Sequence, residues 1–356
     1  ETIRGLLSAA SQPGVFGAML VATLDDPTGY GRVLLDDEGN VRRIVEQKDA
    51  SPEEAEVRTW NPSVYCFRGK GLWDRLHRIR ADNAQGEYYL TDVVGLATSD
   101  GGRVAGVAVD DASEVLGVNS RVDLAQVAKI LRARILRDLM LSGVTVVDPD
   151  STYVDITVQV GNDTVIEPQT HLLGDTVIGE DCRIGPATVI SNCSIGNGCT
   201  VTISHLDGSI VGCSVRIGPF ARLRPGCVIG DRSKIGNFVE LKNAQVGEAV
   251  AASHLSYLGD AEIGAHANIG AGTITCNYDG FVKHRTVIGK RAFIGTNNAL
   301  IAPIRVGDGA ITAAGSTLTE DVPENALAIA RARQQNREGW AIRWREARSK
   351  RGEKNG

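Results

Sequence analysis

The feature that most constrains this chain is a short repeat that starts near residue 160 and continues beyond residue 300. An aliphatic residue followed by glycine recurs with successive gaps of 18, 17, 16, 18, 17, 17, 25 and 18 residues. The aliphatic residues of this series are Val160, Ile178, Ile195, Val211, Ile229, Val246, Ile263, Ile288 and Val306. The pair also recurs six residues later, as at Ile178 and Ile184, so three six-residue units make one period.

A fixed period of this length predicts a solenoid of stacked coils, and six-residue units with one inward aliphatic residue are typical of a parallel β-helix. Each coil would be a triangle of three short strands, in which the aliphatic residues fill the interior and glycine accepts the corner conformation. A flexible linker rich in glycine would not keep its aliphatic residues in register. The content of 41 glycines with only 5% aromatic residues agrees with the solenoid.

The gap of 25 residues is seven longer than one coil, and it marks an insertion between Ile269 and Ile288. A regular solenoid absorbs extra residues as a loop at a corner, and such loops tend to carry function. The inserted stretch contains "CNYDGFVKHR", residues 276–285. We therefore expect the functional site to involve this loop.

The residues before the repeat have a different pattern, and a chain of 356 residues exceeds one ordinary core, so we expect more than one domain. Residues 17–24, 63–67 and 102–109 resemble strands, and residues 71–81 and 91–101 have helical spacing. Residues 121–143 carry a broad apolar stripe that ends at Gly143, which predicts a long connecting helix. The predicted boundaries are 1–120, 121–143, 144–330 and a basic arm at 331–356.

Charge and cysteine content restrict the function classes. The net charge of −5 argues against nucleic acid or an anionic membrane as a partner of the whole protein. No apolar run is long enough to span a membrane, and the first residues lack the order of a signal peptide, so we expect a cytoplasmic protein. The 7 cysteines lack zinc-like spacing, which favours small buried hydrophobic residues over disulfides or a structural metal.

Specific segments carry a resemblance that covers essentially the whole chain. They include "LDDPTGYGRV" (24–33), "GPFARLRPG" (218–226), "HLSYLGDAEIG" (254–264) and "NIGAGTITCNYDG" (268–280). The chain resembles the family of bifunctional enzymes that combine glucosamine-1-phosphate N-acetyltransferase and N-acetylglucosamine-1-phosphate uridyltransferase activities. The resemblance implies an α/β part, an incomplete Rossmann-like nucleotide-diphospho-sugar transferase domain at 1–120, then the linker helix, then a left-handed parallel β-helix that transfers acetyl groups.

The resemblance also implies the acetyltransferase site. His254 matches the general base, and an imidazole with a pKa near neutrality suits the deprotonation of an amine. Glu240 lies two residues before Lys242 on the same face of its strand and is expected to orient His254. Without this context, single histidines and surface cations are more often structural or solvated. The positions that match the binding of the sugar phosphate, glucosamine-1-phosphate, are Arg224, Lys242, Tyr257, Asn268 and Lys283.

For the acetyl donor, the resemblance implies contacts of acetyl coenzyme A (acetyl-CoA), and the backbone N–H of Ala271 is expected near the thioester carbonyl. The positions that match are Ala271, Asn277, Tyr278, Thr296, Ala314 and Arg331. The family assembles as homotrimers with sites between subunits. The basic segment after Arg331 carries Trp340 and Trp344, and it is either a solvated tail or an arm over the coenzyme A phosphates of the adjacent subunit.

The uridyltransferase half is expected to be incomplete. Gly31, Glu46, Asn61 and Asn119 match contacts of UDP-N-acetylglucosamine, and Asn119 also matches one ligand of Mg²⁺. The glycine-rich phosphate loop, the downstream lysine and the aspartate that is the other metal ligand have no match in this sequence. We therefore expect this chain not to catalyse uridyl transfer, and residues 1–120 to lack sheet partners.

Three alternatives stay open at this stage. The chain could be a sugar nucleotidyltransferase with a purely regulatory β-helix, but His254, Tyr257 and Asn268 argue against that. It could be a zinc hydrolyase on the same solenoid, although the histidines at 205, 254, 266 and 284 show no close repeat spacing. It could also be a non-catalytic trimerisation scaffold, which an acetyl-transfer assay would distinguish.

Overall fold

A computed structural model describes residues 1–352 and the side chains of residues 1–349; the last four residues of the predicted basic arm lie outside the described residues. The chain divides into two compact units, of which the first is Glu1–Leu131 and the second begins at Arg132. No helix among residues 1–352 combines the length and the apolar character needed to cross a membrane.

The first unit is a mixed sheet with short helices. Its strands are β1 (Val15–Thr23), β2 (Arg32–Leu35), β3 (Val41–Val45), β4 (Thr59–Trp60), β5 (Tyr65–Phe67) and β6 (Arg103–Ala108). Its helices are α1 (Thr2–Ala10), α2 (Pro52–Ala55), α3 (Gly69–Leu76) and α4 (Asp92–Ser99). The strand β1 is central, because it pairs in parallel with β6 and antiparallel with β4 and β5. The core residues Met19, Val33 and Val93 are fully buried, as expected where strand and helix faces meet.

Helix α5 (Arg121–Leu141) confirms the predicted connecting helix. Its expected apolar stripe is buried only towards the C-terminal end. Leu136 is 1% exposed in the solenoid core, and Ile135 and Leu139 pack against that core. By contrast, Val122 and Leu124 in the first turns are 65% and 45% exposed.

The second unit confirms the predicted β-helix, with about ten turns between residues 145 and 328. Three parallel strand ladders form the three faces of the prism. The strands of the first face are Thr145–Val146, Val165–Ile166, Arg183–Ile184, Thr200–Val201, Arg216–Ile217, Lys234–Lys242, Ala251–Gly259, Asn268–Ile269, Phe293–Ile294, Ile311–Thr312 and Leu327–Ala328. Lys234–Lys242 and Ala251–Gly259 continue around a corner into the second face.

The remaining strands complete the second and third faces. On the second face they are Tyr153–Val154, His171–Leu173, Val189–Ser191, His205–Asp207, Arg222–Leu223, Ile274–Cys276, Ala299–Ile301 and Thr317–Leu318. On the third they are Gln159–Val160, Val177–Ile178, Ser194–Ile195, Ile210–Val211, Val228–Ile229, Gln245–Val246, Ala261–Ile263, Thr286–Ile288 and Ile304–Val306. After the solenoid, helix α6 (Trp340–Gly352) lies in the basic arm.

The hexad pattern accounts for the core, because the aliphatic residues of the repeat point inward. Ile178, Ile195 and Ile229 are at most 2% exposed and belong to one continuous cluster along the solenoid. Four cysteines, Cys182, Cys193, Cys199 and Cys227, are buried as predicted. Cys213 is exposed, so the prediction of a small buried residue is wrong at that position.

Candidate active site

One corner of the prism carries a vertical row of residues that we call the corner row: Asn237, His254, Ala271, Thr296 and Ala314. Each follows an inward-facing residue by two positions, and the strand registers align those inward residues from coil to coil. Neighbouring strands lie roughly 4.8 Å apart, so consecutive members of the row are close neighbours. The predicted base and three predicted acetyl-CoA contacts thus lie in one line.

The side chain of His254 is held by the preceding coil. Its Nδ1 lies 2.8 Å from Oδ1 of Asn237, and the two residues are register partners. An amide oxygen only accepts, so Nδ1 of the neutral ring carries the hydrogen and Nε2 keeps its lone pair. Because His254 is exposed at the corner, this lone pair is accessible to a substrate.

Glu240 is not the hydrogen-bonding partner of His254 in the structure. Its Oε1 instead accepts a hydrogen bond from Nη1 of Arg224 at 3.2 Å. Because the strand continues around the corner, Asn237 lies on the row of His254 whereas Glu240 lies beside Tyr257. Asn237, a residue that the sequence analysis missed, makes the contact with His254 that Glu240 was expected to make.

Three predicted phosphate-binding cations come together at the far end of the second face, where the strand that carries Asn237 ends at Lys242. Arg224 and Lys242 follow register-paired leucines, so they occupy the same position on neighbouring coils. Lys283 reaches them from the inserted loop. Its hydrogen bond and its charge, together with the charge of Arg224, lower the pKa of Lys242. Such repulsion among cations indicates a site that is built to receive an anion.

The two predicted sugar contacts flank the corner. Tyr257 lies on the second face in register with Glu240, and Asn268 lies on the first face in register with Ala251. Both side chains are half-buried. Gly259 permits a close approach here, since a Cβ at this position would lie 2.4 Å from the Tyr257 hydroxyl and 2.8 Å from Nδ2 of Asn277.

The inserted loop is a compact hairpin fixed to the solenoid by Asp260. Oδ2 of Asp260 accepts a hydrogen bond from Nδ2 of Asn277 at 2.6 Å, and Oδ1 accepts one from Asn243 at 2.7 Å. Burial raises the pKa of Asp260, but these two amide donors and the charges of Lys283 and Lys242 outweigh burial and lower that pKa overall. The carboxylate is therefore charged at neutral pH and anchors the loop.

Within the hairpin, Tyr278 and Lys283 form an antiparallel bridge. Asp279 caps the turn by accepting hydrogen bonds from the N–H groups of Phe281 and Val282, both at 2.8 Å. These donors and His284, whose Nε2 lies 2.7 Å from the carboxylate, hold the pKa of Asp279 far below its ordinary value. The loop thus presents Tyr278 at 59% exposure, while Asn277 stays buried at 7%.

The residues predicted to contact acetyl-CoA continue along the corner row. The carbonyl of Ala271 accepts a hydrogen bond from Asn297, and that of Thr296 accepts one from Gly315. Within the described residues, the N–H of Ala271 donates to no other group, so it is available to an oxygen of a substrate. Arg331 closes the row, because its Nη1 donates to the Ala314 carbonyl at 3.0 Å.

In the first unit, the structure brings together three of the four predicted nucleotide-sugar contacts. The N–H of Asn61 donates to the carbonyl of Gly31 at 2.9 Å, and Glu46 lies 3.3 Å from where a Cβ of Gly31 would be. Burial raises the pKa of Glu46, although a hydrogen bond from Thr91 opposes this effect. Asn119 lies just before α5, where its N–H donates to Asp123.

The described residues do not fit a magnesium ion around Asn119. Oδ2 of Asp123, a carboxylate near it in sequence, already accepts hydrogen bonds from the N–H groups of Asn119 and Ser120 and from the Ser120 hydroxyl. Among residues 1–352, no cluster of three or more His, Cys, Asp or Glu side chains could hold a metal ion.

Comparisons with known proteins identify the family of this chain. The profile of the GMPPB C-terminal domain matches residues 149–249. The bifunctional protein GlmU of Pelobacter propionicus is 51% identical over 346 residues, which covers 97% of this chain and 75% of that protein. GlmU of a Geobacillus species is 50% identical over 343 residues, covering 96% and 75%.

A solved structure of LpxA from Acinetobacter baumannii is 17% identical, with a TM-score of 0.28 over 53% of this chain and 70% of that one. Identity near 50% over almost the whole chain is decisive by itself. The chain belongs to the family of bifunctional GlmU proteins.

Proposed function

We propose that this protein transfers the acetyl group of acetyl-CoA to the amine of glucosamine-1-phosphate, which yields N-acetylglucosamine-1-phosphate for UDP-N-acetylglucosamine synthesis. Membership of the GlmU family supports this reaction. The observation that carries it is the corner row, where a histidine with an available Nε2 lies directly before a free backbone N–H. The strand that carries Asn237 of this row ends at Lys242, within the cluster of cations.

The reaction is an aminolysis of a thioester. His254 Nε2 takes a proton from the substrate ammonium, and the neutral amine attacks the thioester carbonyl. The oxyanion that forms accepts a hydrogen bond from the N–H of Ala271. When the C–S bond breaks, the coenzyme A thiolate takes the proton from the imidazolium, so the histidine returns to its neutral state. The nitrogen that has formed the new C–N bond releases its extra proton to solvent, which leaves a neutral amide.

The cation cluster binds the phosphate of the sugar. A phosphate dianion relieves the mutual repulsion of Arg224, Lys242 and Lys283, and the guanidinium adds a two-pronged contact. Tyr257 and Asn268, on either side of the corner, hold the sugar ring and its amine. The amine is thereby directed towards His254.

Acetyl-CoA binds along the rest of the corner row. The small side chains of Ala271 and Ala314 and the short Thr296 leave a narrow path for the pantetheine arm. Asn277, Tyr278 and Arg331 border that path. The exposed position of His254, Thr296 and Ala314 on a convex corner supports a site that a neighbouring subunit completes, and we therefore propose a homotrimer.

The basic arm fits a role in donor binding. In α6, Trp340 and Trp344 are stacked with centroids 6.1 Å apart, and the Arg348 guanidinium lies 4.7 Å from the Trp344 ring. Trp340 is 50% exposed and Trp344 is 45% exposed in the described structure. We propose that the arm orders over the coenzyme A phosphates of an adjacent subunit; a solvated tail is the alternative.

The first unit supports a second function, the binding of a nucleotide sugar without uridyl transfer. The cluster of Gly31, Glu46 and Asn61 supports binding of a nucleotide sugar, as expected for the uridyltransferase half of the family. Binding of UDP-N-acetylglucosamine, measured by calorimetry with wild-type protein and Glu46→Ala, tests this assignment.

The acetyltransferase proposal is tested by His254→Ala in an assay of thiol release from acetyl-CoA with glucosamine-1-phosphate. Loss of the general base should lower kcat on the order of 100-fold or more at neutral pH. His266→Ala is the matched control, because His266 is exposed at another corner and should leave the rate unchanged. Wild-type activity in His254→Ala would contradict the proposal.

A further inference from the structure

Asn237 makes a direct side-chain contact with His254, the proposed general base. Asn237 occupies the corner-row position directly before His254, and its side chain is half-buried while the imidazole is exposed. The distance of 2.8 Å between Oδ1 and Nδ1 is that of a good hydrogen bond. The corner that follows each residue is formed by Phe238 and Leu255, at φ 56° and 47°.

These corner conformations fix the backbone on which the contact between Asn237 and His254 depends. Bulky residues with positive φ are uncommon, and they persist where the surrounding structure determines the backbone. Phe238 stacks on Phe220 of the preceding coil with centroids 5.1 Å apart and planes inclined by only 6°. The backbone beside Asn237 is therefore held by a ring stack as well as by the strand ladder.

We propose that Asn237 is the positioning residue of the general base: its amide oxygen fixes the Nδ1–H tautomer of His254 and directs Nε2 at the acetyl-accepting amine. This inference rests on the proposed function of His254. A histidine base needs its second nitrogen held by an acceptor, since free rotation or the other tautomer would remove the lone pair from the reacting side.

The neutrality of the acceptor is chemically significant. A carboxylate at this position would favour the imidazolium and raise the pKa of the ring. A larger fraction of the imidazole would then be protonated at neutral pH and unable to accept a proton. The two row neighbours of His254, Asn237 and Ala271, carry no charge. The charged and titratable groups on the strands packed around it are Lys234, Glu240, Lys242, Tyr257 and Cys276. Asn237 therefore orients the ring without adding a charge.

The first experiment compares Asn237→Ala and Asn237→Asp in the full-length chain with wild-type protein. Asn237→Ala should lower kcat on the order of 100-fold, because the base loses its orientation, while KM for both substrates stays unchanged. Asn237→Asp keeps the shape of the side chain and a hydrogen-bond acceptor, so at high pH its kcat should be close to that of the wild type. The acidic limb of its profile of kcat against pH should lie at higher pH than in the wild type. Asn192→Ala is the control, because it removes an asparagine from another exposed corner and should leave kcat unchanged.

The second measurement needs no variant. Nitrogen chemical shifts of the His254 ring in ¹⁵N-histidine-labelled protein report the tautomer, and protonated Nδ1 with unprotonated Nε2 is expected above the pKa of the ring. The opposite tautomer would overturn the inference, as would a wild-type kcat and pH profile in a folded Asn237→Ala. If His254→Ala is inactive while Asn237→Ala is normal, only this inference fails; if His254→Ala is also active, the proposed function fails with it.

Discussion

At the scale of single residues, the contact between Lys242 and Lys283 has the clearest functional consequence. Two ammonium groups within hydrogen-bonding reach repel each other, and this contact lowers the pKa of Lys242. A site of this kind binds an anion more strongly than either lysine alone would, because the anion removes the repulsion. The cost is that Lys242 loses its proton at a lower pH than an ordinary lysine does.

Lys283→Met should therefore have two separable effects. The loss of a charge-assisted hydrogen bond should raise KM for glucosamine-1-phosphate about 10- to 100-fold, while KM for acetyl-CoA stays unchanged. In the variant the pKa of Lys242 returns upward, so the loss of sugar-phosphate affinity on the alkaline side should move to higher pH. Steady-state kinetics across the alkaline range measures both effects.

The control for this prediction is Lys290→Met, since Lys290 is exposed on the third side of the solenoid and should leave both KM values unchanged. An unchanged KM for the sugar phosphate in Lys283→Met would contradict the placement of the phosphate. An unchanged alkaline limb would contradict the coupling of the two lysines.

The sequence predicted some of these residues and not others for a physical reason. His254, Lys242 and Lys283 followed from a resemblance in local motifs, whose residues are contiguous in the chain. Asn237 is 17 residues from His254 and becomes its neighbour only through the stacking of coils. Counting one coil back from the base would have identified it, whereas the prediction of Glu240 rested on its position two residues before Lys242 on the same strand face.

At the scale of elements, the coil-to-coil spacing leaves no room for a side chain at the corner glycines. A Cβ on Gly264 would lie 2.5 Å from the nitrogen of Lys290 and 2.7 Å from the carbonyl carbon of Gly289 on the next coil. Both are backbone atoms, so the coils themselves would have to separate. This packing explains why the aliphatic-glycine pair repeats so regularly.

Gly264→Ala should lower the free energy of unfolding by roughly 1–3 kcal/mol, in the range of overpacked sites. Denaturant unfolding followed by circular dichroism measures the change. Gly69→Ala is the control, because a Cβ there meets no atom within 4 Å. Equal stability of the two variants would show that the coils yield without cost.

Periodicity accounts for how much of the fold was predictable. The solenoid, its inserted loop and the connecting helix followed from repeats and an apolar stripe, and helix α5 ends two residues before the predicted boundary of 143. The first unit was less predictable, since its strands carry no repeat and pair across long separations. The strand predicted at 17–24 is Val15–Thr23, and α1 was not predicted.

At the scale of the whole molecule, the first face of the solenoid ends in an exposed apolar row. Phe293, Ile311 and Leu327 are 51%, 48% and 61% exposed, and they are register partners on consecutive coils. A contiguous apolar row differs from scattered surface residues, because water is released along its full length when it is covered. In a closed three-fold assembly each subunit would use one such row against a different surface of its neighbour.

The proposed trimer predicts a mass in solution of about three times the chain mass of 37.8 kDa, measured by light scattering after size exclusion. Ile311→Arg puts a charge into the middle of the row, which would be buried without a partner in the assembly, so this variant should elute as a monomer. Val177→Arg is the matched control, since Val177 is 43% exposed on the third face and its replacement should leave the trimer intact.

A trimeric Ile311→Arg would exclude the first face as the interface, and a monomeric wild-type protein would exclude a shared site. If the monomeric variant also loses acetyl transfer while its solenoid stays folded, the convex corner around His254 is complete only when a second subunit covers it.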